Sequence, residues 1–202
     1  RLKVSITGVA TVTDNAPTNT TNFLLAYNMI PVRPVKLEDG SWFDTREYDQ
    51  GNPVRNQKEN THKNRINNFY GTADVGYTII DGLEAKVLLA KSRNTEDESK
   101  YSSIESQAGY NDGGKAERWS RLRDKDLMEW TANYSAEFNK HKINALIGYS
   151  WEEENYEETH VQTRGFVTDL LGANNLAAGQ NLNPGDAESE KWQSRLISLY
   201  AR

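Results

Sequence analysis

The chain has 202 residues, a net charge of −5 and no cysteine, with hydrophobic residues at 36% and a mean hydropathy of −0.82. No stretch approaches the roughly 20 apolar residues of a membrane-crossing helix, no basic stripe offers itself to nucleic acid, and the missing thiols exclude disulfide frameworks and thiolate sites. An antiparallel barrel is not excluded, because alternating lipid-facing and lumen-facing residues hide from average hydropathy.

The chain opens inside a strand without a starting Met or signal peptide, and is expected to be a piece of something longer. Period-2 alternation sets Leu2, Val4, Ile6, Gly8, Ala10 and Val12 on one face, with Lys3, Ser5, Thr7 and Thr11 on the other. A long connection, about 14–66, follows. A short helix is expected near Asn22 to Met29, stopped by Pro31.

The next strand, about Asn67 to Ile79, lines up Phe69, Gly71, Ala73, Val75, Tyr77 and Ile79. Ile80-Asp81-Gly82 is a turn signal, and the return strand alternates Leu83, Ala85, Val87 and Leu89 with Glu84 and Lys86. A three-residue loop pairs Tyr77 with Ala85, Val75 with Val87 and Ala73 with Leu89. A two-residue loop would set Tyr77 against Lys86 and break the face, so the three-residue loop with a Gly bulge is expected.

A second long connection, about 94–125, leads to another hairpin. Met128, Trp130, Ala132, Tyr134, Ala136 and Phe138 share a face, as do Ile143, Ala145, Ile147, Tyr149 and Trp151. A four-residue loop would pair Phe138 with Ile143, Tyr134 with Ile147 and Trp130 with Trp151. From Phe138 to Trp130 the strand rises roughly 26 Å, or about 20 Å when tilted. An apolar band of that height, edged by aromatics, fits a membrane girdle formed by Trp130, Phe138, Tyr149 and Trp151. A third long connection, about 152–190, precedes a last strand from near Trp192 through Tyr200.

Short turns at one end and long loops at the other suit an outer-membrane barrel better than a soluble domain. The fold class expected is therefore all-β, an antiparallel transmembrane barrel segment of about six long strands, with residues 1–202 forming part of one barrel domain.

His62, His141 and His160 are scattered without metal-site spacing, and His141 suits a turn. The acidic run Glu152 to Glu154 with Glu157 and Glu158 fits a solvated loop rim better than a Ca²⁺ site. No metal, cofactor or catalytic residue is expected. Trp42, Phe43, Tyr48, Tyr101, Tyr110, Trp119 and Tyr156 fall in the expected outward loops. Of these, Trp42, Tyr48 and Trp119 are the best substrate-contact candidates, since charged side chains sit beside them and aromatic rings stack on sugar faces. The bland alternative is packing among the loops themselves.

Several stretches in order carry a resemblance. They are Ala26-Tyr27-Asn28-Met29-Ile30-Pro31, Gly51-Asn52-Pro53-Val54, Asn67-Asn68-Phe69-Tyr70-Gly71, Gly148-Tyr149-Ser150-Trp151, Arg164-Gly165-Phe166-Val167-Thr168-Asp169 and Ser194-Arg195-Leu196. Together they resemble the barrel of SusC-like TonB-dependent transporters of the Bacteroidetes outer membrane. The resemblance implies a 22-stranded barrel with an N-terminal plug, neither the plug nor the remaining strands lying in this chain. It implies oligosaccharide or peptide import, a SusD-like surface lipoprotein as partner, and energy from the TonB–ExbB–ExbD complex through the N-terminal part. A siderophore-type receptor barrel and a soluble all-β binding or adhesion module are the alternatives. The soluble module requires Phe69, Val75, Trp130 and Ile147 to be packed under a second layer, whereas the barrel turns them to lipid and Thr72, Asn133 and Ser150 inward.

Overall fold

A computed structural model describes residues 1–43 and 51–202. Six strands run antiparallel in one sheet, each beside its sequence neighbour. They are β1 (Leu2–Asn15), β2 (Thr61–Ile80), β3 (Leu83–Ser102), β4 (Lys115–Phe138), β5 (His141–Arg164) and β6 (Ala187–Ala201). Two helices, α1 (Thr21–Asn28) and α2 (Pro53–Glu59), lie between β1 and β2. The sheet is not closed among the described residues, and β1 and β6 are its edges.

Register joins the apolar positions into rows. Val4, Val75, Val87, Trp130, Tyr149 and Leu199 face one another across all six strands. The next row is Ile6, Ala73, Leu89, Met128, Trp151 and Ile197. The apolar band runs obliquely, reaching Val12 on β1 and Phe69 on β2 but only Leu89 on β3. At the other end it descends from Leu2 on β1 to Phe138 on β4. Strand tilt in a barrel produces such a slope.

Among the described residues no second layer covers this face. Phe69 is 47% exposed, Val75 42%, Trp130 41% and Ile147 53%. A soluble sandwich would bury them. Thr72, Asn133 and Ser150 lie on the opposite face, where Asp74 and Lys86 form an ion pair at 3.0 Å and Ser135 donates to Asn144 at 2.8 Å.

The hairpin turns are tighter than the sequence suggests. β2 and β3 are joined by Asp81 and Gly82 alone, and Ile80 pairs with Leu83. A register shift between Thr78 and Ile80 absorbs the odd residue, so Tyr77–Ala85, Val75–Val87 and Ala73–Leu89 pair as expected. Between β4 and β5 the loop is Asn139-Lys140, not four residues, because Asn139 adopts a left-handed φ of 54°. The pairs are thus Tyr134–Ala145, Ala132–Ile147 and Trp130–Tyr149. The expected register was wrong by two residues, which preserves the faces but removes the Trp130–Trp151 pair.

The larger correction concerns length. β4 and β5 have 24 residues each, about 80 Å of strand, whereas crossing a bilayer takes about 9–11. The long connections shrink to 16–60, 103–114 and 165–186. The charged stretches read as loop are strand, and the acidic run of β5 is no loop rim. Lys125 meets Glu152 at 2.7 Å, Arg123 meets Glu154 at 3.3 Å and Arg195 meets Glu153 at 2.6 Å. Cross-strand charge pairing replaces apolar patterning once the strands leave the membrane. His141 is the first residue of β5, opposite Phe138, rather than a turn residue.

α1 lies within one residue of its expected place. α2 was not expected, although Asn52 accepts from the backbone N–H groups of Val54 and Arg55, and Pro53 begins the helix.

Candidate functional site

Above the apolar band, the face continuous with the lumen carries aromatic and charged side chains in rows. Trp119 lies on β4 rather than in a loop, in the row Asn64–Glu98–Trp119–His160–Glu188. The row toward the membrane is Ile66–Glu96–Arg121–Glu158–Glu190, and the next is Asn68–Asn94–Arg123–Tyr156–Trp192.

Arg121 is the hub. Its Nη1 donates to Glu98 at 3.2 Å, its Nε donates to Glu158 at 3.1 Å, and Glu96 stands 3.4 Å away. Glu98 also meets Lys100 at 2.9 Å and His62 at 2.7 Å. Burial pushes the Glu98 carboxyl up, but the bonds from Lys100, His62 and Arg121 outweigh it and hold the carboxyl below its ordinary value. The Tyr156 hydroxyl donates to Glu158 and holds that carboxyl down, against burial and with help from Arg121. The tyrosine's own pKa is raised by the same bond. The cations held by these carboxylates are the Arg121 guanidinium and the Lys100 ammonium. Among the described residues no cluster of three or more His, Asp or Glu has metal-holding geometry.

The aromatic rings have partners too. His160 stacks on Trp119 at 4.3 Å with planes 5° apart, and Lys100 Nζ lies 4.5 Å over the indole. Arg121 Cζ lies 5.9 Å from the same ring's centroid, so stacking and cation contacts both hold the indole. Tyr156 stacks on Trp192 at 5.4 Å, with Arg123 5.5 Å from its centroid. Asn94, Glu96, Arg121, Arg123 and Tyr156 line an open cavity of about 390 Å³.

The other candidates lie apart. Trp42 bridges to Lys36 within the first long connection, and the ammonium sits 4.6 Å over its ring. No described contact joins Trp42 to the Trp119 group. Tyr48 lies outside the described residues. Tyr101 is buried in a small core with Ala116, Phe166 and Ala173, and its hydroxyl donates to Asp169 at 2.7 Å. Burial, then this bond, pushes the phenol above its ordinary value. The girdle aromatics fall on the apolar face, with Trp130 and Tyr149 stacked at 6.0 Å. Arg121, Arg123 and Glu98 escaped the sequence reading, which placed Glu158 only in an acidic loop run and Trp192 only at the start of the last strand. Their signal is the alternation 119-121-123-125 facing 160-158-156-154, visible only once the hairpin is extended in its true register.

No family model matches the chain. It is 26% identical over 179 residues to TonB-dependent receptor P3 of Formosa agariphila, a match covering 88% of this chain and 18% of the relative. TonB-dependent receptor P26 of the same organism is 25% identical over 158 residues, covering 73% of this chain and 16% of the relative. The chain is similar in sequence to TonB-dependent receptors. It thus spans about a sixth of the length of the curated relatives it matches. The fold agrees with the RagAB peptide importer. The 'open-open' structure matches with a TM-score of 0.70 at 14% identity, over 99% of this chain and 23% of that one. The 'closed-closed' structure gives 0.61 at 17% identity, over 71% and 16%. The sheet has the fold of an outer-membrane barrel segment, with its apolar rows on one face and Arg121 on the other.

Proposed function

We propose that the chain forms wall and outward strands of a TonB-dependent nutrient importer, part of a single barrel domain, that takes up oligosaccharides. One observation carries this reading. The strands that present apolar rows to lipid continue above it with a lumen-side surface of stacked aromatics and paired charges, suited to guiding a polar oligomer without reacting with it. Trp119 on β4 and Trp42 on an outward loop are the first contacts, with Tyr48 as a third. A SusD-like lipoprotein covers the outward end, and TonB–ExbB–ExbD acts through other parts of the receptor. The likeness to a peptide importer supports peptides as the second substrate class.

The test is uptake by cells that depend on the intact receptor, offered labelled oligosaccharides or peptides. Oligosaccharide uptake that drops about tenfold with Trp119→Ala, at unchanged surface level, is the expected result. Peptide uptake alone would select the second class. Uptake of an iron chelate alone would make the protein a siderophore receptor and overturn the proposal.

A further inference from the structure

The lipid-facing side has a gap in its cover. Near the outward end of the apolar band, Gly8 on β1 and Gly71 on β2 stand opposite each other. A Cβ on Gly8 would meet nothing within 4 Å. The gap is an open depression of about 760 Å³ whose walls include Phe69, Leu89, Met128 and Trp151. Lys91 closes its upper rim, bonding both carboxylate oxygens of Asp126 at 2.8 and 3.0 Å. One row higher, Arg93 stands 3.7 Å from Asp124. The side chains of Lys91 and Arg93 are about half exposed, at 49% and 53%.

We infer that this depression binds one acyl chain of an outer-leaflet lipid whose phosphate rests against Lys91 and Arg93. The depression is continuous with the lipid-facing rows, so lipid is the solvent that meets it. From β1 to β4 it crosses three strand spacings, about 14 Å, room for much of an extended chain. An unfilled hollow would cost its lining the dispersion contacts that an inserted chain restores. The charges at the rim complete the match. Lys91 has three protons and gives two to Asp126, and Arg93 keeps donors beyond its contact with Asp124. Both cations sit where the apolar rows end, at headgroup level. The inference rests on the outer-membrane placement of the sheet and not on what the receptor imports.

The intact receptor is purified in detergent and titrated with lipid A, a phosphorylated and multiply acylated glycolipid, and with its dephosphorylated form. Bound equivalents are counted by native mass spectrometry, and barrel assembly is checked by heat-shifted gel migration. One tightly retained lipid A is expected, with the dephosphorylated form held more weakly. Gly8→Trp, whose ring would fill the depression, should weaken retention about tenfold. Gly8→Leu serves if the larger residue blocks assembly, and Lys91→Gln should weaken only the phosphorylated lipid. Equal retention by wild type and the assembled Gly8 variant overturns the inference, as does the absence of retained lipid. A receptor dimer that the Gly8 variant breaks would give the depression to a second copy and overturn it too.

Discussion

Arg121 shows how single residues hold the outward sheet together. It lies among Glu96, Glu98 and Glu158, and no one strand supplies more than two of these carboxylates. Each carboxylate alone would be a partly exposed surface charge worth little. Gathered around one guanidinium, they tie β3, β4 and β5 across two adjacent rows. Glu98 and Glu158 have folded-state pKa values below the ordinary 4.5. Their stabilisation is therefore fully present above that value and is lost as pH falls through the lower folded values. Amide exchange in the intact receptor should show protection around residues 96–98, 119–123 and 156–160 that holds from neutral pH down to 4.5 and is lost as the pH drops further. Arg121→Gln should produce the same loss at neutral pH. Protection indifferent to both changes would mean that these rows do not couple the strands. Trp119 belongs to this scale as well. Its ring is stacked on His160 and lies under the Lys100 ammonium, so a ligand competes with these contacts for the indole.

At the scale of elements, turn chemistry decides register. Gly82 has φ of +85°, and a Cβ there would lie 2.3 Å from the Ser135 carbonyl oxygen. Gly82→Val combines a disfavoured backbone conformation with a backbone clash, and should cost about 2–3 kcal/mol of barrel stability. Denaturant titration of the receptor refolded in vesicles measures this, and an unchanged midpoint would contradict the hairpin geometry. The faces of β2 to β5 were legible in the sequence because alternation survives a two-residue slip. Loop length was not legible. Ile79 is skipped by a bulge and Asn139 tightens the second turn, and neither event leaves a mark on hydrophobic period. The upper halves of the strands were also hidden. Glu152 to Glu158 alternate in facing rather than in polarity, so their strand character lies in cross-strand partners that sequence distance conceals. The site inherits that blindness. Trp119 was found as an aromatic among charges, whereas Arg121 and Glu158 needed the register. α2 had a readable start in Asn52-Pro53.

For the whole molecule, the apolar rows and the charged rows divide the same strands into a membrane zone and an outward zone. The oblique boundary of the apolar band, the absence of a covering layer over Val75 and Ile147 among the described residues, and the likeness to outer-membrane importers lead to one arrangement. Ala132 sits in the middle of that band, beside Ala85 and Ile147. Ala132→Arg should cost roughly 2–4 kcal/mol in the assembled barrel, measured by the same vesicle refolding. The most direct measurement places spin labels one at a time from Trp130 to Phe138 in the intact receptor reconstituted in bilayers, and reads their collisions with oxygen and with a water-soluble relaxant. Oxygen-accessible labels at the even positions alternating with relaxant-accessible labels at the odd positions are the predicted result. Uniform burial along the strand, or a protein that does not partition into the bilayer, would contradict the barrel wall.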